Sequence, residues 1–280
     1  MTAPPPPSDS SAYVHGYSPA EQQRLTRLQG LLNDAQLAAM DLSGVRSIVD
    51  FGAGLGQMTR ALARRVGRGA RVVGVERDAR QIAEAERQAA ADGEAGLVEL
   101  RQGAVDAPPL AEDEVGTFDL AHGRFILEHV RNPLDVAKHM VESVRPGGRI
   151  VLVDDDHELL RFEPEVPQLA DLWRRFWVDF ESHGLDPLIG RRLPRRLVDA
   201  GARVTRSTTF FFGATQGAPT FDTIVDNFLE VMGASRENMV ARGVVTGAAW
   251  DAAETAAAAW RTVPGASIWY SIPLVEGVRP

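Results

Sequence analysis

Short apolar runs and amphipathic stretches alternate through the first half of the chain. Residues 47–51 ("SIVDF"), 71–75 ("RVVGV"), 97–101, 117–121 and 149–153 are brief and rich in branched or apolar side chains, the pattern of strands buried in a sheet. Between them, residues 58–66, 78–91 and 132–144 carry apolar positions at helical spacing, and "RPGG" at 145–148 ends the last of these helices with the residues that stop one. Such alternation predicts a parallel sheet covered by helices on both faces. Ahead of it, Leu25, Leu28, Leu31, Leu32 and Leu37 recur at helical spacing over residues 19–40, predicting one or two amphipathic helices that form a lid.

Beyond residue 156 the rhythm changes. "LADLWRRFWVDFES" (169–182) places Leu169, Leu172, Trp173, Phe176, Trp177 and Phe180 on one broad helical face, so it has something apolar to cover. A helix over 191–200 leads into a strand "RVTRSTTFFF", a helical stretch covers 220–261, and "SIWYSIPLV" closes the series as a strand. The expected organisation is a disordered tail over 1–12, a helical lid over 13–44, and one α/β domain over 45–280 with helical insertions at about 160–190 and 220–262. The tail follows from "PPPPSDSS", which has nothing to bury.

Composition narrows the chemistry. The 280 residues include no cysteine, which excludes disulfides, thiolate metal sites and cysteine nucleophiles, and Lys138 is the only lysine able to form a Schiff base. A net charge of -8 disfavours nucleic acid and anionic membrane. No apolar run approaches the roughly 20 residues of a membrane span, and the N-terminus lacks signal-peptide features. The expectation is a cytoplasmic protein, monomer or homodimer, that acts on a small molecule.

The stretch "IVDFGAGLGQMTRALARRV" raises the question of a ligand. A strand entering a glycine turn and then a helix offers backbone N–H groups and a positive helix end, with no side chain to hold a ligand off. Dinucleotide folds place a third glycine where Gln57 stands; here the glycines are Gly52, Gly54 and Gly56.

"VDFGAGLGQ", "VVGVERD" and "TFDLAHGRFILEHVRNPLDVAKHMVESVRPGGRIVLVDDD" together resemble, in order, the motifs of the class I S-adenosylmethionine-dependent methyltransferases, over about residues 45–156. The resemblance implies a Rossmann-like, doubly wound, seven-stranded sheet: six parallel strands and an antiparallel hairpin strand at the C-terminus. It implies that Asp50 meets the methionine ammonium, directly or through water, and that Glu76 accepts both ribose hydroxyls. Many relatives carry an Asp after the third strand that grips the adenine amino group; Ala104 stands there, so backbone groups of Ala104 and Val105, or nearby Asp106, take that place. The implied cofactor set is Tyr17, Asp50, Gly52, Gly54, Gly56, Gln57, Glu76, Arg77, Ala104, Val105 and His122. In "YVHGY", Tyr13, His15 and Tyr17 are positioned to close over the methionine end, as N-terminal residues do in related enzymes.

For the acceptor, the carboxyl edge of an open α/β sheet is where ligands bind. His122 and Arg124 are expected just after the fourth strand, and Asp154, Asp155, Asp156 and His157 after the fifth. His122, Arg124, Asp155 and His157 are the expected catalytic or substrate-facing groups; His129 reads as a histidine packed against the sheet. No metal is expected, because consecutive residues of an extended chain point apart and cannot all face one ion. The aromatic helix over 169–180 is a candidate roof for an apolar substrate. The function implied is methyl transfer to an O, N or C nucleophile of a small molecule; the alternative is a cofactor-binding protein that catalyses a non-methylating rearrangement or senses a ligand.

Overall fold

The structure is a computed structural model that describes residues 19–67 and 69–280. Tyr13, His15, Tyr17 and the tail lie outside the described residues. In chain order the elements are α1 (Pro19–Ala39), β1 (Ser47–Phe51), α2 (Gln57–Val66), β2 (Arg71–Glu76), α3 (Ala79–Ala91), β3 (Glu99–Gln102), β4 (Phe118–Arg124), α4 (Pro133–Ser143), β5 (Val144–Val153), β6 (Leu160–Glu163), α5 (Pro167–Ser182), α6 (Leu193–Asp199), β7 (Arg203–Thr215), α7 (Phe221–Gly233), α8 (Arg236–Ala241), α9 (Gly247–Trp260) and β8 (Ser267–Val278). None of the helices among the described residues is long and apolar enough to cross a membrane.

The sheet runs β3-β2-β1-β4-β5-β8-β6, with β7 also paired to β8. Strands β1 to β5 pair in parallel, and β8 is antiparallel to β5, β6 and β7. The strand order reverses between β1 and β4, the switch point at which an open α/β sheet leaves a crevice for a ligand. Strand alternation is visible in the core. Ile48, Leu120, Val151 and Leu274 face α1 and α2, whereas their neighbours Val49, Ala121, Ile150 and Val275 face α4 and α6. A third apolar cluster, including Leu169, Trp173, Phe176, Phe228, Trp250 and Ile268, lies among α5, α7, α9 and β8 and forms a separate cap.

Two differences from the sequence expectation shape the site. Strand β4 runs to Arg124, so His122 and Arg124 lie in the strand itself, where Asp50 is the register partner of His122 and Val153 that of Arg124. The sheet also has eight strands instead of seven, because residues 160–163, expected inside a helical insertion, form β6. Both β5 and β6 pair with β8: Val153 lies opposite Leu274 and Leu160 opposite Tyr270. Pro273 falls in the intervening part of β8 and has no N–H for a ladder bond. Residues 154–159 leave the ladder there, with Asp154 N–H reaching Pro273 O at 3.3 Å.

Candidate active site

A cavity of about 1300 Å³ opens over the carboxyl ends of β1, β2, β4 and β5. One end is lined by Gly52, Gly54, Glu76, Arg77 and the 104–106 loop; the other by Trp173, Phe176, Phe180, Phe212, Phe228 and Tyr270. Glu128, His129, Asp155 and His157 also line it.

At the first end the backbone is the binding surface. Gly52, Gly54 and Gly56 all have positive φ, 76°, 53° and 68°, which costs other residues about 1–2 kcal/mol each. A Cβ on Gly52 would stand 2.8 Å from Ile126 Cδ1, so the turn has both a conformational and a steric reason for glycine. The amides of Gly52 and Ala53 donate to Val75 O, and Gly54 N–H donates to Glu76 Oε2 at 2.9 Å. Asp78 N–H donates to Glu76 Oε1 at 2.9 Å. Burial pushes the Glu76 carboxyl above its ordinary range while these two amides pull the other way. Its four lone-pair sites leave two acceptors free for a vicinal diol.

Asp50 and His122 do not line this cavity. Their side chains sit beneath the turn, 2% and 1% exposed, in a buried chain of hydrogen bonds to α1. Thr59 Oγ1 donates to Asp50 Oδ2 at 2.5 Å, Asp50 Oδ1 is 2.7 Å from His122 Nδ1, and His122 Nε2 is 2.7 Å from Gln36 Nε2. Gln36 Oε1 accepts from Arg124 at 2.8 Å. Arginine only donates, so it fixes which end of the Gln36 amide faces it; the amide N–H then faces His122, whose Nε2 must accept. His122 is thereby held as the neutral tautomer with its Nδ1–H on Asp50. The β1–β4 register turns both side chains toward α1, so neither lines the cavity, where direct contact or contact through water with a methionine ammonium was expected.

Arg124 does reach the cavity. Its guanidinium is buried and held by three amide oxygens on one face of α1, those of Gln29, Asn33 and Gln36, the contact with Asn33 measuring 2.9 Å. It has no carboxylate ion-pair partner among the described residues, and burial lowers its pKa to about 10, partly offset by Asp50. Phe125 follows with φ 52°, a left-handed conformation that turns the chain at the end of β4. Gln57 is taken up on α2 by Thr26 and Gln88, and neither it nor Gly56 lines the cavity. Arg77, Ala104, Val105 and Asp106 do line it.

The "DDDH" run is sorted residue by residue. Asp154 Oδ2 accepts from the amides of Leu127 at 2.7 Å and Ile126 at 3.3 Å, fastening the loop after β4. Asp156 is paired bidentately with Arg191 at 2.5 and 2.7 Å. Asp155 and His157, two residues apart, instead join Glu128 from the turn after β4, with His157 Nε2 3.3 Å from Glu128 Oε2. One ligand atom from each of the three lies within 4.8 Å of the other two. Burial, reinforced by Asp186, raises Glu128 to about 8; burial and Glu128 raise Asp155 to about 8. Burial lowers His157 to about 4, so it is neutral. His157 lies 4.7 Å from the Trp173 ring, whose Nε1 donates to His157 O at 2.7 Å. His129, expected to pack against the sheet, lines the cavity against Phe180 with its Nε2 3.4 Å from Glu128.

A methyltransferase-domain family model matches residues 20–207, more than half the chain. The chain belongs to the methyltransferase-domain family. The chain is 29% identical over 169 residues to a 37.1 kDa protein in transposon TN4556 of Streptomyces fradiae, covering 60% of this chain and 46% of that one. It is 33% identical over 107 residues to the ubiquinone biosynthesis O-methyltransferase of Pseudomonas aeruginosa, covering 38% of this chain and 43% of the relative. The chain thus spans less than half the length of these two relatives. Its fold is similar to that of geranyl diphosphate methyltransferase in complex with SAM, at a TM-score of 0.51 and 19% identity, covering 93% of this chain and 88% of that one. The class I methyltransferase fold expected from the motifs is the fold observed.

Sequence reasoning missed several residues of the site. Glu128 drew no expectation, although a lone acid inside "RFILEHV" signals a buried polar group. Gln29, Asn33 and Gln36 recur at helical spacing along α1, a polar stripe masked by the leucines beside it. Tyr270 was read only as part of an apolar strand.

Proposed function

We propose that this chain binds S-adenosylmethionine across the glycine turn and transfers its methyl group to a small, largely apolar acceptor. The observation that carries the reading is one continuous cavity with two unlike ends: a backbone-lined turn with Glu76 at one, and an aromatic chamber with a few polar groups at the other. The family and the SAM complex of a protein of similar fold support it.

In this reading Glu76 receives the ribose diol, the 104–106 loop meets the adenine, and Gly52 and Gly54 allow the close approach. Arg124, a buried cation held by the neutral amides of α1, receives the α-carboxylate. Because those amides belong to α1, that contact ties the lid helix to a filled site. Asp50 and His122 act as positioning residues that brace the turn from below.

When bound, the cofactor supplies an activated sulfonium methyl; the chain's own work is alignment of the acceptor, exclusion of water and removal of a proton where the acceptor carries one. Asp155, His157 and Glu128 are the groups placed for that work. Calorimetric titration with S-adenosylhomocysteine tests the cofactor end: binding that weakens in Glu76→Ala is expected, and no binding to the intact protein overturns the reading.

A further inference from the structure

The polar floor of the aromatic chamber has a charge imbalance. Asp154 and Asp156 are neutralised or fastened by their own partners, and neither takes part. Glu128 and Asp155 are different. Among the described residues, the ion-pair contacts of Glu128 are to His129 and His157, and Asp155 has no ion-pair contact. Its Oδ1 is buried without a close hydrogen-bond partner, and the Tyr270 hydroxyl that faces this carboxyl has none either. Glu128, buried, and Asp155, half-buried with its Oδ1 shielded, thus face a cavity with no arginine or lysine paired to either among the described residues, a costly arrangement for ionised groups unless a ligand brings positive charge.

The surroundings favour one kind of cation. A divalent metal on Glu128, Asp155 and His157 would need the second ring nitrogen of His157 to donate to an acceptor, as metal-bound histidines do. His157 Nδ1 is buried with no partner, so that support is missing. An ammonium group asks for something else: two or three hydrogen-bond acceptors close together, and aromatic faces around its apolar remainder. The acceptor oxygens of Glu128 and Asp155 supply the first. Trp173, Phe176, Phe180 and Phe228, stacked or tilted against one another at centroid distances of 5.2–5.9 Å, supply the second.

We propose that the acceptor is an amine on an apolar skeleton, held by Glu128 and Asp155 and methylated on nitrogen. This rests on the methyl-transfer reading above. The docked ammonium gives one proton to the Asp155 carboxylate, which frees the nitrogen lone pair. That pair forms the new N–C bond to the sulfonium methyl as the S–C bond breaks, its electrons returning to sulfur. The products are a neutral thioether and a methylated ammonium, so the positive charge passes from sulfur to nitrogen and stays opposite Glu128; Asp155 keeps its proton as the product leaves and gives it to solvent when the next ammonium docks.

The test uses the full chain loaded with S-adenosylhomocysteine and two probes of the same shape, 2-phenylethylamine and 2-phenylethanol, titrated at one pH by calorimetry. The amine is expected to bind at least about tenfold more tightly, the scale of a desolvated charge-assisted contact. In Glu128→Gln/Asp155→Asn that preference is expected to vanish while S-adenosylhomocysteine still binds. Equal or tighter binding of the alcohol, no amine binding, or a preference that survives in the double variant overturns the proposal. So does thermal stabilisation by Mn²⁺ of the intact protein but not of the double variant, which would make the trio a metal site. The comparison of the two probes in the intact protein stands even if the variant does not fold. Failure of S-adenosylhomocysteine to bind would instead remove the methyl-transfer reading.

Discussion

The two ends of the cavity are built by different means. The glycine end is made of consecutive backbone from one strand, one turn and one helix, with Glu76 added at a fixed distance along the chain. The acceptor end is made of side chains from β4, the 154–159 excursion, α5, α7 and β8, brought together only by the fold. Backbone-built sites need particular residue types at particular spacings, so they leave a signature in sequence. Side-chain chambers need only the right chemistry at the right place in space, which many sequences satisfy.

The largest expected effect lies at the backbone end. Gly52→Val adds branched bulk at φ 76°, where a Cβ already stands 2.8 Å from Ile126. Strain of about 1–2 kcal/mol plus that clash is expected to abolish measurable S-adenosylhomocysteine binding and lower Tm. Unchanged binding would mean that the ligand does not approach the turn, and the contrast between the two ends would fail.

The acceptor end is expected to respond to pH instead. Folding raises Glu128 and Asp155 to about 8, so the folded chain holds protons there that the unfolded chain releases at ordinary carboxylate values. Stability from this source is fully present below about pH 4 and is lost as pH rises through about 8. Glu128→Gln/Asp155→Asn is therefore expected to melt a few degrees above the parent chain near pH 8, with the gap closing toward pH 4. Melting curves across that range check it; a constant gap would show that the two carboxyls are not held protonated by the fold.

Glu76→Ala returns to the first end with a smaller loss. Removing the carboxylate proposed to receive the two ribose hydroxyls is expected to weaken cofactor binding by about 1–3 kcal/mol with little change in the 2-phenylethylamine affinity. Equal losses for both ligands would point to collapse of the turn, since Gly54 and Asp78 also depend on Glu76.

How far the sequence could be read follows the same division. The alternation of elements, the glycine turn, Glu76 and the order of β1 to β5 were legible because each is a local or regularly spaced pattern. The direction of Asp50 and His122 was not, because it depends on strand register and on three amides of α1 far away in sequence. Nor was the fate of "DDDH": four adjacent polar residues look equivalent until Arg191, the amides after β4 and Pro273 assign them different partners. Strand β6 was hidden for a related reason, since its four residues take their conformation from β8, more than a hundred positions later.

The smallest expected effect concerns the place where the family pattern is broken. Ala104 stands where an adenine-gripping Asp is common, and Ala104, Val105 and Asp106 all border the cavity. Asp106 is exposed, so water competes for any hydrogen bond it makes to the adenine amino group, and the net value of such a bond is about 0.5–1.5 kcal/mol. If Asp106 takes the role, Asp106→Ala is expected to weaken S-adenosylhomocysteine binding by roughly three- to tenfold and to erase discrimination against its inosine analogue, which lacks the amino group. If the backbone of Ala104 and Val105 does the work, affinity and discrimination both survive the substitution. The two titrations together decide whether the missing side chain was replaced two residues downstream, or whether even base recognition at this end belongs to the backbone.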